Sequence, residues 1–463
     1  MKEIKTSIIP VKQTFVKIKE TPHQLDYKAI CIYSALGFFL DTDTFWLDKK
    51  VLPPATINTI DNDGFWISSK KWFQWSYKPK EDSLKEVVTN FTNLFHKILN
   101  EQVKDNKVIL PLSGGLDSRT QAVGLKYLKK TVTSYSYSFE NGFNESGISK
   151  KIASKADFKF TDFTIKKGYL WNVINKLASI NNCYSEFTHP RQMGVYKELK
   201  NLNGEVFSLG HWGDVLFDSD SYPEELSDNE ITSILLKKIV KKGGIELAKS
   251  LWKNWQLEGQ FEDYLNLRIL QLVKDINIKN TNAKIRAFKS LYWAPRWTSV
   301  NLSIFENIAP ITLPYYDDRM CEFICSVPEK YLINRQIQIE YIKNTNKEIA
   351  SIVWQDKRPF NLFNYHLHKF PFNFPYRVKS KLQREFSKLK NKKFIQRNWE
   401  LQFLGENNSA KLDDHLNELT YNSDIPMDII TNFTSKFKKE SVYYSHSISM
   451  LLTLSSFFKN KKI

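Results

Sequence analysis

The chain reads as an α/β protein: a parallel sheet flanked by helices, with a small β region before it and a helical region after it. Three observations lead there. From about residue 81 to residue 210, short apolar strands alternate with helical patterns. Within that stretch SGGLDSR, residues 113–119, stands between a strand and a helix. Past about residue 225 the strands fade and the helical period takes over.

The elements follow in order. AICIYSALGFFL (29–40) and TFWLDKKVLP (44–53) are rich in aromatic and β-branched residues and are predicted as strands. Residues 82–104 predict a helix, because Val87, Val88, Phe91, Leu94, Phe95, Ile98 and Leu99 recur at i, i+3, i+4. KVILPLS is the next strand and SRTQAVGLKYLKK the next helix. TVTSYSYSF, FKFTDFTI and EVFSLG continue as strands. ESGISKKIASKAD and THPRQMGVYKELKNL are predicted as the helices between them. Strands and helices in alternation imply right-handed crossovers and a sheet covered on both faces. No internal repeat or long linker is seen. The boundaries fall near residues 80 and 370, giving regions 1–80, 81–370 and 371–463.

The Gly-Gly loop has the layout of a phosphate site. Gly114 and Gly115 let the backbone turn tightly and approach oxygen atoms with no Cβ in the way. The first amides of the following helix are unpaired and partly positive. Ser113 and Ser118 add hydroxyl donors. Asp117 would repel a phosphate unless a cation lies between them, and Mg2+ resolves that conflict. A plain Gly-Gly turn with a helix-capping Asp or Ser is the alternative. The spacing is not that of a Walker A loop.

Composition narrows the class. The 463 residues carry 67 Lys and Arg against 50 Asp and Glu, a formal charge of +17. Nucleic acid, an anionic surface or an anionic substrate would each suit that excess, as would a simple habit of lysine use. Of the four cysteines, Cys31, Cys183, Cys321 and Cys325, the last two stand four apart and are read as core thiols in preference to a zinc site, and so few in so long a chain suggest a cytoplasmic setting. The start MKEIKTSIIPVKQTF has no apolar run of the secretory kind, and the AICIYSALGFFL segment is too short to span a bilayer.

SGGLDSR resembles the SGG-x-DS signature of the PP-loop ATP pyrophosphatases, and LPLSGGLDS is similar to the synthetase domain of asparagine synthetase B. Further segments extend the resemblance over about residues 30 to 365. Tyr135–Phe139 is similar to the family's FSIGF strand and is followed by Glu145. Ser208–Phe217, SLGHWGDVLF, is similar to SGEGSDELF. Pro314–Asp317 resembles PFLD and precedes DRMCEFICSVPEKYL. Gln355–Phe360 resembles RQKxxF. The resemblance implies a sheet of the PP-loop, or adenine nucleotide α-hydrolase-like, type. It implies ATP bound by Leu112, Ser113, Gly114, Gly115, Asp117, Ser118, Tyr137, Leu209 and Gly210. It also implies Mg2+ held by Asp117 and Asp214, with Lys357 and Arg358 steadying charge at the α-phosphate.

The implied reaction is ATP-dependent amide formation. A carboxylate substrate is adenylated with loss of pyrophosphate, and ammonia or an amine donor then displaces AMP. The departures matter as much. Lys2 follows Met1 where glutamine-using relatives place a nucleophilic Cys. LDTDTFWLDKKVLPPATINTID (40–61) is similar only to the closing part of a glutaminase domain. Residues 1–80 thus resemble a truncated glutaminase-like β region, and glutaminase activity is not expected in this chain. Nitrogen would come from free ammonia, a separate glutaminase subunit, or a substrate amine as in β-lactam synthetases and lasso-peptide cyclases. His211 and Trp212 replace Glu and Gly of SGEGSDE, so the acyl pocket is expected to differ and aspartate is not the expected substrate. His211 is either a base or a pocket-shaping residue.

Two other functions compete: a tRNA-modifying PP-loop enzyme and a non-catalytic binding subunit. RVKSKLQREFSKLKNKK (377–393) holds eight Lys or Arg and one Glu, with Val378, Leu382, Phe386 and Leu389 on one helical stripe. It is expected to be a surface helix packed by that stripe, in preference to a membrane-surface or RNA-binding element.

Overall fold

Val108–Pro111 is the middle strand of a five-stranded sheet in a computed structural model that describes residues 1–18, 24–142, 146–389, 396–422 and 425–461. Val132–Phe139 lies on one side of it and Val206–Ser208 on the other. Lys159–Ile165 and Ile311–Thr312 form the edges. Every pairing is parallel, with Leu110 beside Ser134 and Ile109 beside Phe207. The chain leaves the middle strand toward Val132–Phe139, then returns across it to Val206–Ser208. The loops after these two neighbouring strands therefore diverge, and such a switch point opens a crevice at the strand ends.

Helix Leu84–Val103 begins with a capping box in which Ser83 and Glu86 exchange bonds. It buries Val87, Val88, Phe91, Phe95, Ile98, Leu99 and Val103. Helix Leu116–Tyr127 follows the Gly-Gly loop, and helix Gln336–Thr345 packs on both. One continuous apolar core runs from Ile8 to Phe458. The C-terminal part is helical, in Phe374–Leu389, Asn398–Phe403, Glu406–Asn422, Met427–Lys439 and Ser441–Lys461.

The N-terminal part differs from expectation. AICIYSALGFFL is no strand, since Tyr27–Leu36 is a helix. Asp26 caps it by accepting from the Ala29 amide, and Gly37, at φ +79°, ends it. Ala29 through Leu36 are all buried. Burying one such side chain contributes roughly 1.5–3 kcal/mol, whereas helix propensities differ by under about 0.7 kcal/mol per residue. Burial therefore overrides the strand-like composition. TFWLDKKVLP yields only Lys49–Val51, paired with Phe15–Lys17. The other strands, Lys2–Lys5, Thr56–Ile60 and Trp66–Lys71, form an antiparallel sheet.

Two further differences lie in the α/β part. THPRQMGVYKELKNL is a 3₁₀ turn, Arg191–Val195, and then a short helix, Tyr196–Lys200. Gly194 presses on Ile165 there, where a Cβ would lie 2.7 Å from the isoleucine side chain. Helix Tyr169–Asn181 was not anticipated. Glu145 lies outside the described residues.

Candidate active site

Two glycines bring the two loops of the crevice into contact, and a third packs the first loop on Gln355. A Cβ on Gly210 would sit 3.0 Å from the Asp117 carbonyl carbon, and one on Gly213 would sit 2.3 Å from Asp117 Oδ1. Gly114 has no room either, because Gln355 Oε1 would be 2.6 Å away. Side chains tie the loops further. Gln121 Nε2 donates to the Leu209 carbonyl (3.3 Å), and Ser208 Oγ donates to Gln121 Oε1 (2.7 Å). Asp214, in the first turn of Gly213–Leu216, is thus carried beside Asp117.

The two carboxylates share one cavity of about 590 Å³. Burial pushes the Asp117 carboxyl up to about 6; the Arg335 guanidinium opposes that rise, and the Asp214 charge adds to it. Arg335 Nη2 and Gln338 Nε2 both donate to Asp117 Oδ1. Gln338 also donates to Tyr315 Oη (2.8 Å), so the PFLD-like segment buttresses Asp117. Two like charges facing one space, with Oδ1 already engaged, form a donor set that suits a hard divalent cation.

The Gly-Gly loop is ordered by its own hydroxyls. The Ser113 amide donates to Ser118 Oγ (3.0 Å), and the Gly115 amide to Ser113 Oγ (3.3 Å). Gly115 has φ −78° and ψ −179°, extended backbone open to any residue, and its nearest obstacle to a Cβ is Ser113 Oγ at 3.4 Å. Nothing in the protein itself excludes a side chain at Gly115. The Gly114 amide donates to Gln355 Oε1 (3.1 Å), and the Gln355 amide to the Gly114 carbonyl (3.2 Å). Buried Arg119 donates to the carbonyls of Ile352 and Val353 at 2.9 and 2.8 Å. These bonds staple the Lys357 segment to the loop.

Opposite the loop the cavity is aromatic. His211, Trp212, Trp293, Trp297 and Phe305 line it. Burial pushes the His211 imidazole down to about 4, against the pull of Asp214, so the ring is neutral near pH 7. Its Nδ1 has no hydrogen-bond partner among the described residues. Trp212 occupies left-handed backbone at φ +78°, costly for a bulky side chain. Its indole N–H donates to Ser290 Oγ (3.0 Å). Trp293 and Trp297 come from a π-helix, Lys289–Thr298, whose wider turn accommodates Pro295. No Lys or Arg lines the cavity among the described residues.

Leu112, Ser113, Asp117, Ser118, Tyr137, Leu209, Gly210, His211 and Asp214 therefore all line one cavity. Gly114 and Gly115 lie in its loop and not among its lining residues. Lys357 and Arg358 also lie outside that lining. Lys357 Nζ stands 5.8 Å from the centre of the Trp354 ring. Sequence reasoning missed Arg335, Gln338, Arg119 and the aromatic wall of Trp293, Trp297 and Phe305. The wall alone left a readable trace, in Trp293 and Trp297 four apart on a helical segment.

No match was found among curated proteins. The family model described as Asparagine synthase matches residues 91–420, from within the first helix of the α/β part to the C-terminal helices. Residues before 91, with their antiparallel strands, fall outside it. By that match the chain belongs to the asparagine synthase family of ATP-dependent amide-forming ligases.

Proposed function

We propose that this ligase activates a carboxylic acid as its acyl-adenylate in a PP-loop site and passes the acyl group to ammonia or a substrate amine. The observation that carries the reading is the apposition of Asp117 and Asp214 at the sheet's switch point, beside a helix start whose N-cap Gly115 leaves room for a ligand. A ligand's oxygen atoms would take up that room.

The first amides of helix Leu116–Tyr127 and the Ser113 and Ser118 hydroxyls would grip the phosphates. Leu112, Tyr137, Leu209 and Gly210 would bound the adenine and ribose. Asp117 and Asp214 would hold Mg2+, which when bound offsets charge on the departing pyrophosphate. The carboxylate oxygen attacks the α-phosphorus as the bond to pyrophosphate breaks. Lys357, stapled to the loop through Gln355 and Arg119, is assigned to the charge that builds on the α-phosphate, with Arg358 beside it. The amine nitrogen then attacks the acyl carbon, AMP leaves with the electron pair, and neutral His211 accepts the proton. The aromatic wall without a lining cation favours a bulky apolar acid or amine over a second carboxylate.

Carboxylate-dependent exchange of labelled pyrophosphate into ATP tests the scheme. Exchange supported by an aromatic or aliphatic acid, and lost in Asp117→Asn, is the expected result. ATP binding without exchange for any acid would favour a non-catalytic binding subunit.

A further inference from the structure

The helix Phe374–Leu389 carries its apolar stripe on the wrong side for a packed surface helix. Phe374, Val378, Leu382, Phe386 and Leu389 are 55, 41, 53, 62 and 81% exposed. The small polar side, Tyr376, Ser380 and Ser387, is half-buried. The expectation that the stripe packs on the body is therefore corrected. Just upstream, Phe370 and Phe372 are also exposed. Seven of the sixteen large apolar side chains exposed among the described residues fall in this one stretch of twenty. Scattered exposure is ordinary, but a contiguous patch of this kind marks an interaction surface.

Charge identifies what covers it. Arg377, Lys379, Lys381 and Arg384 are all exposed; at 100° per residue Lys379 flanks one edge of the stripe, Lys381 and Arg377 the other, and Arg384 lies further round toward the polar side. The helix has a single acid, Glu385, within the span of the stripe. A second copy of the helix laid on the stripe would set these cations against their own kind. RNA phosphates would use the cations and leave the phenylalanines in water. An anionic lipid surface satisfies both, with acyl chains for the stripe and headgroups for its flanks. At about 24 Å the helix is long enough to lie in that interface. Among the described residues no helix is long and apolar enough to cross a membrane.

We propose that residues 370–389, the Phe374–Leu389 helix with the phenylalanines just before it, form an interfacial element that docks the protein on anionic phospholipid bilayers. The inference is independent of the reaction assigned to the cavity. Flotation of the full chain with vesicles tests it, comparing phosphatidylcholine alone with phosphatidylcholine mixed with phosphatidylglycerol. Recovery is expected with the mixed vesicles only, and it should weaken with salt. Leu382→Asp with Phe386→Asp should lower it by more than about tenfold, as should Lys379→Glu with Lys381→Glu and Arg384→Glu. Because these positions are exposed, the thermal midpoint should hold in every variant. Equal recovery with neutral vesicles, or undiminished recovery of the variants, overturns the proposal. So does a chain that ignores vesicles but is dimeric until Phe386→Asp makes it monomeric, or one that retains only RNA.

Discussion

The loop half of the cavity and its aromatic half rest on different kinds of contact. Around Asp117 the neighbours are backbone and short polar groups packed to the limit, so that Gly114, Gly210 and Gly213 have no space for one more carbon. Around Trp297 the neighbours are rings and cations, with His189 edge-on at 4.5 Å and Lys241 5.5 Å above the ring. A wall of rings on a π-helix admits exchange of one ring for another. A loop closed on carboxylates and amides admits almost none. The loop side is thus held fixed, while the aromatic side is free to vary.

Four changes separate the halves, beginning with the largest effect. Asp214→Asn should reduce pyrophosphate exchange at least about 100-fold and leave the fold intact, since Asp214 is exposed. Unchanged exchange would remove the metal pair from the scheme. Next come the paired loop variants. Gly114→Ala should cost about 1–3 kcal/mol of stability by denaturant titration, because the added carbon meets Gln355. Gly115→Ala should keep the wild-type midpoint yet lose ATP affinity in calorimetry. Equal losses of stability in the two would show Gly115 to be structural.

The third change is in pH. Asp117 takes up its proton near 6 in the folded chain, above its ordinary 3.8. Exchange should fall about tenfold per unit well below that pH, whereas His211, pushed down to about 4 and assigned to the amine step, should leave the exchange profile unmarked. The stability term has the opposite sign. A raised carboxyl favours the protonated folded state, so between about 6 and 3.8 this group stabilises the fold as pH falls. A pH–rate profile beside a pH–melting profile should move in contrary directions over that window. The smallest effect is expected from Trp297→Phe, a rise of about tenfold or less in KM for the acid, with KM for ATP unmoved.

Much of the α/β part was readable because its signals are local. SGGLDSR sits between two unmistakable periods, and Ser83 and Glu86 announce their helix three residues apart. The helix Tyr27–Leu36 also had local signals, Asp26 before it and Gly37 after it. They were outweighed by a run of β-branched and aromatic residues, a composition that total burial also produces. Arg335 was beyond reach for another reason. Its partner Asp117 is 218 positions away, and no feature of NRQIQIE names a distant carboxylate. The same distance hid the staple from Arg119 to Ile352 and Val353.

The N-terminal residues meet the aromatic half at several places, among them Gln13 Nε2, which donates to the Pro295 carbonyl (3.2 Å). Phe38 stacks on Trp293 at 6.2 Å, and Arg296 of the π-helix donates to the carbonyls of Phe39 and Asp43. Asp43 is itself clasped by Arg268 (2.8 Å) and Lys50 (3.1 Å). The N-terminal region is therefore the lintel over the aromatic wall. Trimming it away would let that wall slump while the Gly-Gly loop, stapled by Gln355 and Arg119, still stood.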